Sequence, residues 1–222
     1  VSHSAMLLAN QASYGKTIIP TYHFEKAKAI VSLSADFLGT WLSPVEFARQ
    51  YAVGKKLDEK NPAMSRHIHF ETVASMTGSN ADEKYLCRPS ELPMIAAALL
   101  SAVNGGEITG ITDAKLKAGI QAAAKTLTAH KGAALVVSGS NNVNEQIIVN
   151  AINNAIGANG STINFAETLN YRQGIDSNFA SFVEEMNAGK VNAVLFYGAN
   201  PVYTWPAADK VKSGLAKVKT TI

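Results

Sequence analysis

A chain of 222 residues, 47% hydrophobic and only 17% charged, can bury a substantial core, which excludes a disordered segment. Its net charge of +3 is spread along helical stretches and not gathered in a tail, so backbone recognition of nucleic acid is not expected. A single cysteine, Cys87, rules out an internal disulfide and any iron–sulfur cluster held by this segment alone.

No apolar run reaches the length of about eighteen residues that suggests a membrane span, so direct insertion is not expected. The start VSHSAM lacks the basic and apolar regions of a signal peptide. The missing initiator Met, and an end at Ile222 inside an expected strand, suggest a piece excised from a longer protein.

In chain order, Ser4–Ala12 has helical spacing. Thr17–Ile19 reads as a short edge strand stopped by Pro20, and Ala29–Leu33 as a buried strand. Ser43-Pro44-Val45-Glu46 carries a capping Ser, Pro at the first helical position and a box-closing Glu, which predicts a helix to Tyr51 or beyond. Charged Lys55–Asn61 reads as an exposed loop. Over Arg66–Val73 the residues Ile68, Phe70 and Thr72 alternate with His67, His69, Glu71 and Val73, the pattern of a half-buried strand. Thr77–Asp82 is a polar turn, Tyr85–Cys87 a brief strand, Glu91–Val103 a helix, and Asp113 caps a helix running to Thr128.

Ala133–Gly160 then reads as strand, polar loop and amphipathic helix in one pass. Ala133–Val137 is apolar and β-branched, and Ile148, Ile152 and Ile156 recur on one helical face. Asn142 or Asn144 can cap this helix, and Gly157 can end it in a left-handed conformation. Thr162–Phe165 follows as a strand and Phe179–Asn187 as a helix ended by Gly189. The strand–turn device returns at Ala193–Tyr197, where Gly198-Ala199-Asn200-Pro201-Val202 echoes Gly139-Ser140-Asn141-Asn142-Val143. A helix from Pro206, burying Ala208, Val211, Leu215 and Val218, leads to a strand at Thr220–Ile222. Strands that alternate with helices predict an α/β fold with parallel, Rossmann-like sheets and helices on both faces. We expect two units, residues 1–128 and 129–222.

The two Gly-x-Asn loops are the first candidates for chemistry. Glycine permits a sharp turn and close ligand approach, Asn offers donor and acceptor, and amides at a helix start can hold an anion. A capped tight turn is the alternative for each loop. Two such corners side by side at the rim of one parallel sheet would favour binding. Neither is a G-x-G-x-x-G or P-loop fingerprint, which argues against an ordinary nicotinamide or nucleoside-triphosphate site. His67 and His69 project to one strand face with Glu71, either as a potential ligand pair or as an exposed polar face; no metal site is assigned. Cys87 is either activated by Arg88 or a buried structural thiol. A flavodoxin-like nucleotide-binding module is a further reading of the same loops.

Several of these segments together resemble the molybdopterin oxidoreductase family. LVVSGSNN with INNAIGANGSTINF is similar to that family's strand, loop and helix leading into an N-x-x-x-G-x-x-G turn, here Asn153, Gly157 and Gly160. AVLFYGANPVYTWPAADKVKSGLAKVKTTI resembles its G-x-N-P strand and following helix. ASMTGSNADEKYLCRPSE resembles its T-G-x-x-A-D turn before a P-G-[ST]-[DE] helix start, and with AIVSLSADFLGTW the likeness covers most of the chain. Within the family the chain is similar to the iron–sulfur subunit of bacterial alternative complex III, a quinol-oxidising assembly.

The resemblance implies a domain of the formate dehydrogenase/DMSO reductase type, peripheral on the periplasmic side of the inner membrane, with other subunits of a respiratory complex as partners. Where molybdenum-holding members have Gly this chain has Ser90, and their D-P-R segment falls near Phe70-Glu71-Thr72. The resemblance therefore implies a scaffold that has lost the molybdenum cofactor, with iron–sulfur clusters elsewhere in the full chain and no catalytic residue here. In an active enzyme, the same likeness implies that Gly139, Ser140, Asn141, Gly198, Asn200, Pro201, Thr77 and Asp82 would hold molybdopterin guanine dinucleotide.

Overall fold

The structure is a computed structural model and describes residues 2–57 and 62–222. Helix α1 spans Ser4–Tyr14, β1 Pro20–Tyr22 and β2 Ala29–Leu33; α2 runs over Pro44–Lys55 and β3 over Arg66–Glu71. A single helical turn, α3, occupies Met76–Ser79, followed by β4 at Glu83–Leu86, α4 at Leu92–Val103 and α5 at Ala114–Ala129. Strand β5 is Ala134–Ser138, α6 Val143–Ala155 and β6 Ile163–Thr168. The remainder holds α7 (Asp176–Asn187), β7 (Ala193–Val194), α8 (Pro201–Thr204), α9 (Ala208–Leu215) and β8 (Thr220–Thr221).

Strands β2, β3, β4 and β5 form one parallel sheet in the order β4-β3-β2-β5. Every residue of β2 and β5 is buried. Helices flank both faces. On one, α5 brings Gly119 against the ring of Tyr85, which itself stacks on Phe70. On the other, Tyr51 of α2 packs on His67, and Phe24, Phe37 and Phe47 form an aromatic layer. This is a mixed α/β architecture with a helix-covered parallel sheet, compatible with a Rossmann-like fold.

The chain divides into two compact units, Ala5–Gln173 and Gly174–Ile222 together with the first residues through Ser4. The expected boundary at 128/129 does not appear, because β5 pairs with β2 from Ala29↔Ala134 to Leu33↔Ser138 and completes the same sheet. In the larger unit β1 also pairs antiparallel with β6. In the smaller, β7 and β8 form a two-stranded parallel pair over a core of Val183, Met186, Val194 and Val211. Val211 is buried on α9, whereas Ala208, Leu215 and Val218 are half-buried.

Several local expectations shift. The edge strand is Pro20–Tyr22 and not Thr17–Ile19, since proline at the first strand position forgoes no ladder bond. Ser43 precedes α2 but makes no side-chain cap; Glu46 instead accepts from Gln50 on the next turn. Of the loop expected at Lys55–Asn61, Lys55 closes α2, and Asp58 to Asn61 lie outside the described residues. Strand β7 ends at Val194, well short of Tyr197. Asp113 and Asn142 cap as expected, accepting from Leu116 N and Glu145 N, and Gly157 is left-handed with φ 69°.

Candidate functional site

In an open parallel sheet the crevice forms where the chain leaves one strand for neighbours on both sides. Here that point lies between β2 and β5, and the Gly139 corner sits on it. Its amide donates to Leu33 O at 3.0 Å, and a Cβ added at Gly139 would lie 2.3 Å from Ser34 O. Glycine is required because the chain's own backbone fills the space.

The rest of the loop is bonded internally. Ser140 N donates to Ser138 Oγ and Asn142 N to Ser140 Oγ, while Gln146 Nε2 donates to the carbonyls of Ser138 and Ser140. Asn141 Oδ1 accepts from Ala5 N at 2.9 Å, which ties the loop to α1. A pyrophosphate needs free amides at such a corner. Those of Gly139, Ser140 and Asn142 are bonded within the chain.

The second corner is built for a different reason. Gly198 has φ 61°, and a Cβ there would meet nothing within 4 Å, so it serves the left-handed turn and not a close approach. Asn200 caps α8 by accepting from Tyr203 N, and Pro201 is its first helical residue. The two corners follow strands of different sheets in different units, which corrects the expectation of one shared rim.

Thr77 and Asp82, the remaining candidates, are also spent on the fold. Thr77 is fully buried; its hydroxyl and amide both donate to Asp36 Oδ1 at 2.9 and 3.1 Å, and its oxygen accepts from Leu38 N. Asp82 Oδ2 accepts from His67 N and pairs with Lys55 Nζ, each at 2.6 Å.

A different cleft, of about 390 Å³, opens beyond the carboxyl ends of β2 and β3, lined among others by Ser34, Asp36, His69, Glu71, Ser75 and Met76. Ser34 starts it by turning left-handed at φ 49°, its amide bonded to Phe70 O. Glu71, at the end of β3, is 1% exposed. Its Oε2 accepts from Ser75 N and Ser75 Oγ at 3.0 and 2.7 Å and lies 3.2 Å from His69 Nε2. Its Oε1 stands 3.5 Å from Lys84 Nζ and has no hydrogen-bond partner among the described residues. The carboxylate presses so closely on α3 that a Cβ at Gly78 would lie 2.4 Å from it.

Behind Glu71 the polar row continues inward. His69 Nδ1 bonds Ser32 Oγ, which also bonds His67 Nε2 at 2.8 Å. His67 Nδ1 meets Tyr51 Oη at 3.2 Å, and that hydroxyl donates to Asn80 O at 2.9 Å. Both histidines are fully buried, so β3 is covered on both faces and its polar side is not the solvent face the alternation suggested. Burial drives the His67 imidazole well below its ordinary pKa, with His69 and Lys55 adding to the effect. Burial also lowers that of His69, opposed by Glu71.

The histidine nitrogens are committed to this line, and among the described residues no set of three His, Cys, Asp or Glu could hold a metal ion. The missed signal was Ser32, a hydroxyl in the middle of an otherwise apolar strand, which demands a buried polar partner. Cys87 lies just beyond β4, half-buried, its Sγ directed at Glu71 O. Burial raises the thiol to about 11, with Glu91, Glu145 and Glu71 adding, so Arg88 does not activate it.

Among the described residues no helix is long and apolar enough to cross a membrane. No protein-family model matches the chain, and no curated protein matches it.

Proposed function

We propose that this chain is part of a molybdopterin-oxidoreductase-like subunit, of the iron–sulfur type found in bacterial alternative complex III, serving as scaffold within a respiratory quinol-oxidising complex. Its sheet would then be a domain of the formate dehydrogenase/DMSO reductase type that holds no molybdenum cofactor, with iron–sulfur clusters in other parts of the full chain. The sequence likeness over most of the chain and the helix-covered parallel sheet both support this reading.

The observation that carries it is the closed corner at Gly139. The Gly139 backbone lies too close to Ser34 O to admit even a Cβ, and the amides of Ser140 and Asn142 are bonded within the chain. Such a chain would serve its neighbours by shape, and electron transfer would belong to those neighbours and to the clusters. Peripheral attachment on the periplasmic side of the inner membrane, through other subunits of the complex, is part of the proposal.

The test is purification of the full-length protein from solubilised membranes of its own host, with assays for molybdenum, pterin fluorescence and quinol oxidation. We expect co-purification with quinol-oxidising activity and no molybdenum. Near-stoichiometric molybdenum would identify an active dinucleotide-dependent enzyme instead. Recovery apart from any membrane complex, with tight flavin or guanine-nucleotide binding, would identify a flavodoxin-like module.

A further inference from the structure

In two places the chain carries asparagine followed directly by glycine, Asn104-Gly105 and Asn159-Gly160. At such a pair the glycine backbone nitrogen can attack the side-chain amide carbon of asparagine, because no Cβ on the following residue obstructs the approach. The sequence makes the two pairs equivalent, and both glycines are left-handed, at φ 82° and 81°. Their surroundings differ.

Asn159 is held at both reacting groups. Its Nδ2 donates to Tyr14 Oη at 3.3 Å, and its Oδ1 is buried. The nitrogen that would attack, Gly160 N, donates to Ile163 O at 2.8 Å within the turn that leads into β6. Reaction there requires the side chain to leave Tyr14 and the turn to open.

Asn104 follows the last residue of α4 and is exposed, as are Gly105, Gly106 and Glu107. No hydrogen bond among the described residues holds its side-chain amide. Gly105 N donates to Ala102 O at 3.1 Å and Gly106 N to Ser101 O at 2.8 Å, the capping pattern of a helix that ends at a left-handed glycine. These bonds lie at the very end of α4, and a helix end opens far more readily than its middle. Opening it releases the Gly105 nitrogen beside a side chain that is already unbound.

We infer that Asn104 is a modification site of the folded chain, deamidating through its own backbone with water as the only co-reactant, while Asn159 is protected. Gly105 N loses its proton to solvent base and bonds to Asn104 Cγ; the Cγ–Nδ2 bond breaks, and that nitrogen takes up a proton and leaves as ammonia. The cyclic imide that remains then adds one water. Opening at Cγ gives aspartate at position 104, and opening at the Asn104 main-chain carbonyl gives an isoaspartyl link in which the chain runs through Cβ. Neither step gains or loses electrons.

Both products act on α4. A new carboxylate stands at the negative end of the helix dipole, where a cation would be favoured. The isoaspartyl link also lengthens the main chain by one carbon, which takes Gly105 N and Gly106 N out of register with Ala102 O and Ser101 O. Val103, 6% exposed, is the neighbouring anchor, so the modification loosens the end of α4 where the helix is seated in the core.

The experiment keeps the 222-residue chain folded at mildly alkaline pH and body temperature in heavy-oxygen water, beside a sample in guanidinium chloride. Digestion and fragment mass spectrometry follow each asparagine, and enzymatic methylation of isoaspartyl carboxyls reports the rearranged link. In the folded chain we expect Asn104 to convert about tenfold faster than Asn159, because only Asn159 must first break a side-chain bond and a turn. Its products should each carry one heavy oxygen atom and include isoaspartate. In guanidinium the two rates should come together, since the fold is what separates them. An Asn104 that stays intact in the folded chain, or that converts no faster than Asn159, would overturn the inference. A gap of the same size in guanidinium would also overturn it, by assigning the difference to flanking residues and not to the fold.

Discussion

Gly139 and Gly198 look interchangeable in the sequence, yet each is glycine for its own reason. At Gly139 the added methyl of alanine meets Ser34 O at 2.3 Å, against backbone that cannot swing aside. At Gly198 the methyl meets nothing, and only the positive φ of 61° is costly. Gly139→Ala should therefore lower stability by about 2–3 kcal/mol through overpacking. Gly198→Ala should lower it by about 1 kcal/mol, and Gly198→Val by about 1–3 kcal/mol, through left-handed strain and not crowding. Urea denaturation of the three variants checks the ranking. Equal losses at Gly139 and Gly198 on alanine substitution would refute the placement of the Gly139 corner against the chain leaving β2.

Among elements, β5 poses a problem that α6 solves. It lies at the sheet margin, where unpaired backbone groups invite pairing with another chain. Asn153 of α6 turns its amide onto that margin, accepting from Val136 N at 2.9 Å and donating to Val136 O at 2.8 Å, as a neighbouring strand would. Thr162 Oγ1 donates to Ala134 O one step along. Asn153→Ala would leave both Val136 groups buried and unmatched, so we expect a loss of about 2–4 kcal/mol. Faster amide exchange at Val136 should accompany it, and Asn153→Asp, which keeps the acceptor but not the donor, should lie between. The position of Asn153 in its motif was legible in the sequence. Its partner was not, because the bond spans 17 positions and depends on how α6 docks on the sheet.

For the whole molecule, the division falls where the chain passes from β6 to α7. Residues 171–174 are exposed, and Arg172 sits left-handed at φ 53°. Among the described residues the smaller unit has a small buried core of Val183, Met186, Val194 and Val211, ringed by half-buried aromatics such as Phe179 and Trp205. So small a core stabilises weakly. Thermal unfolding should proceed in two steps, the smaller unit melting first, with brief trypsin treatment cutting after Arg172 before any site within the sheet. A single cooperative transition followed by both near- and far-ultraviolet signals would show instead that the two units fold as one.

The amino-acid order alone determined the alternation of strands and helices, because hydrophobic period, capping residues such as Asp113 and Asn142, and left-handed glycines such as Gly157 act within a few neighbours. Only the tertiary structure decided that β5 returns beside β2, that the Ser34 backbone lies against Gly139, and that His67 and His69 face inward onto Ser32. Each of those depends on what a strand finds next to it. A period of two shows that the faces differ but not which of them is covered, and polar residues meet partners in the interior only when strands distant in the chain are brought into register.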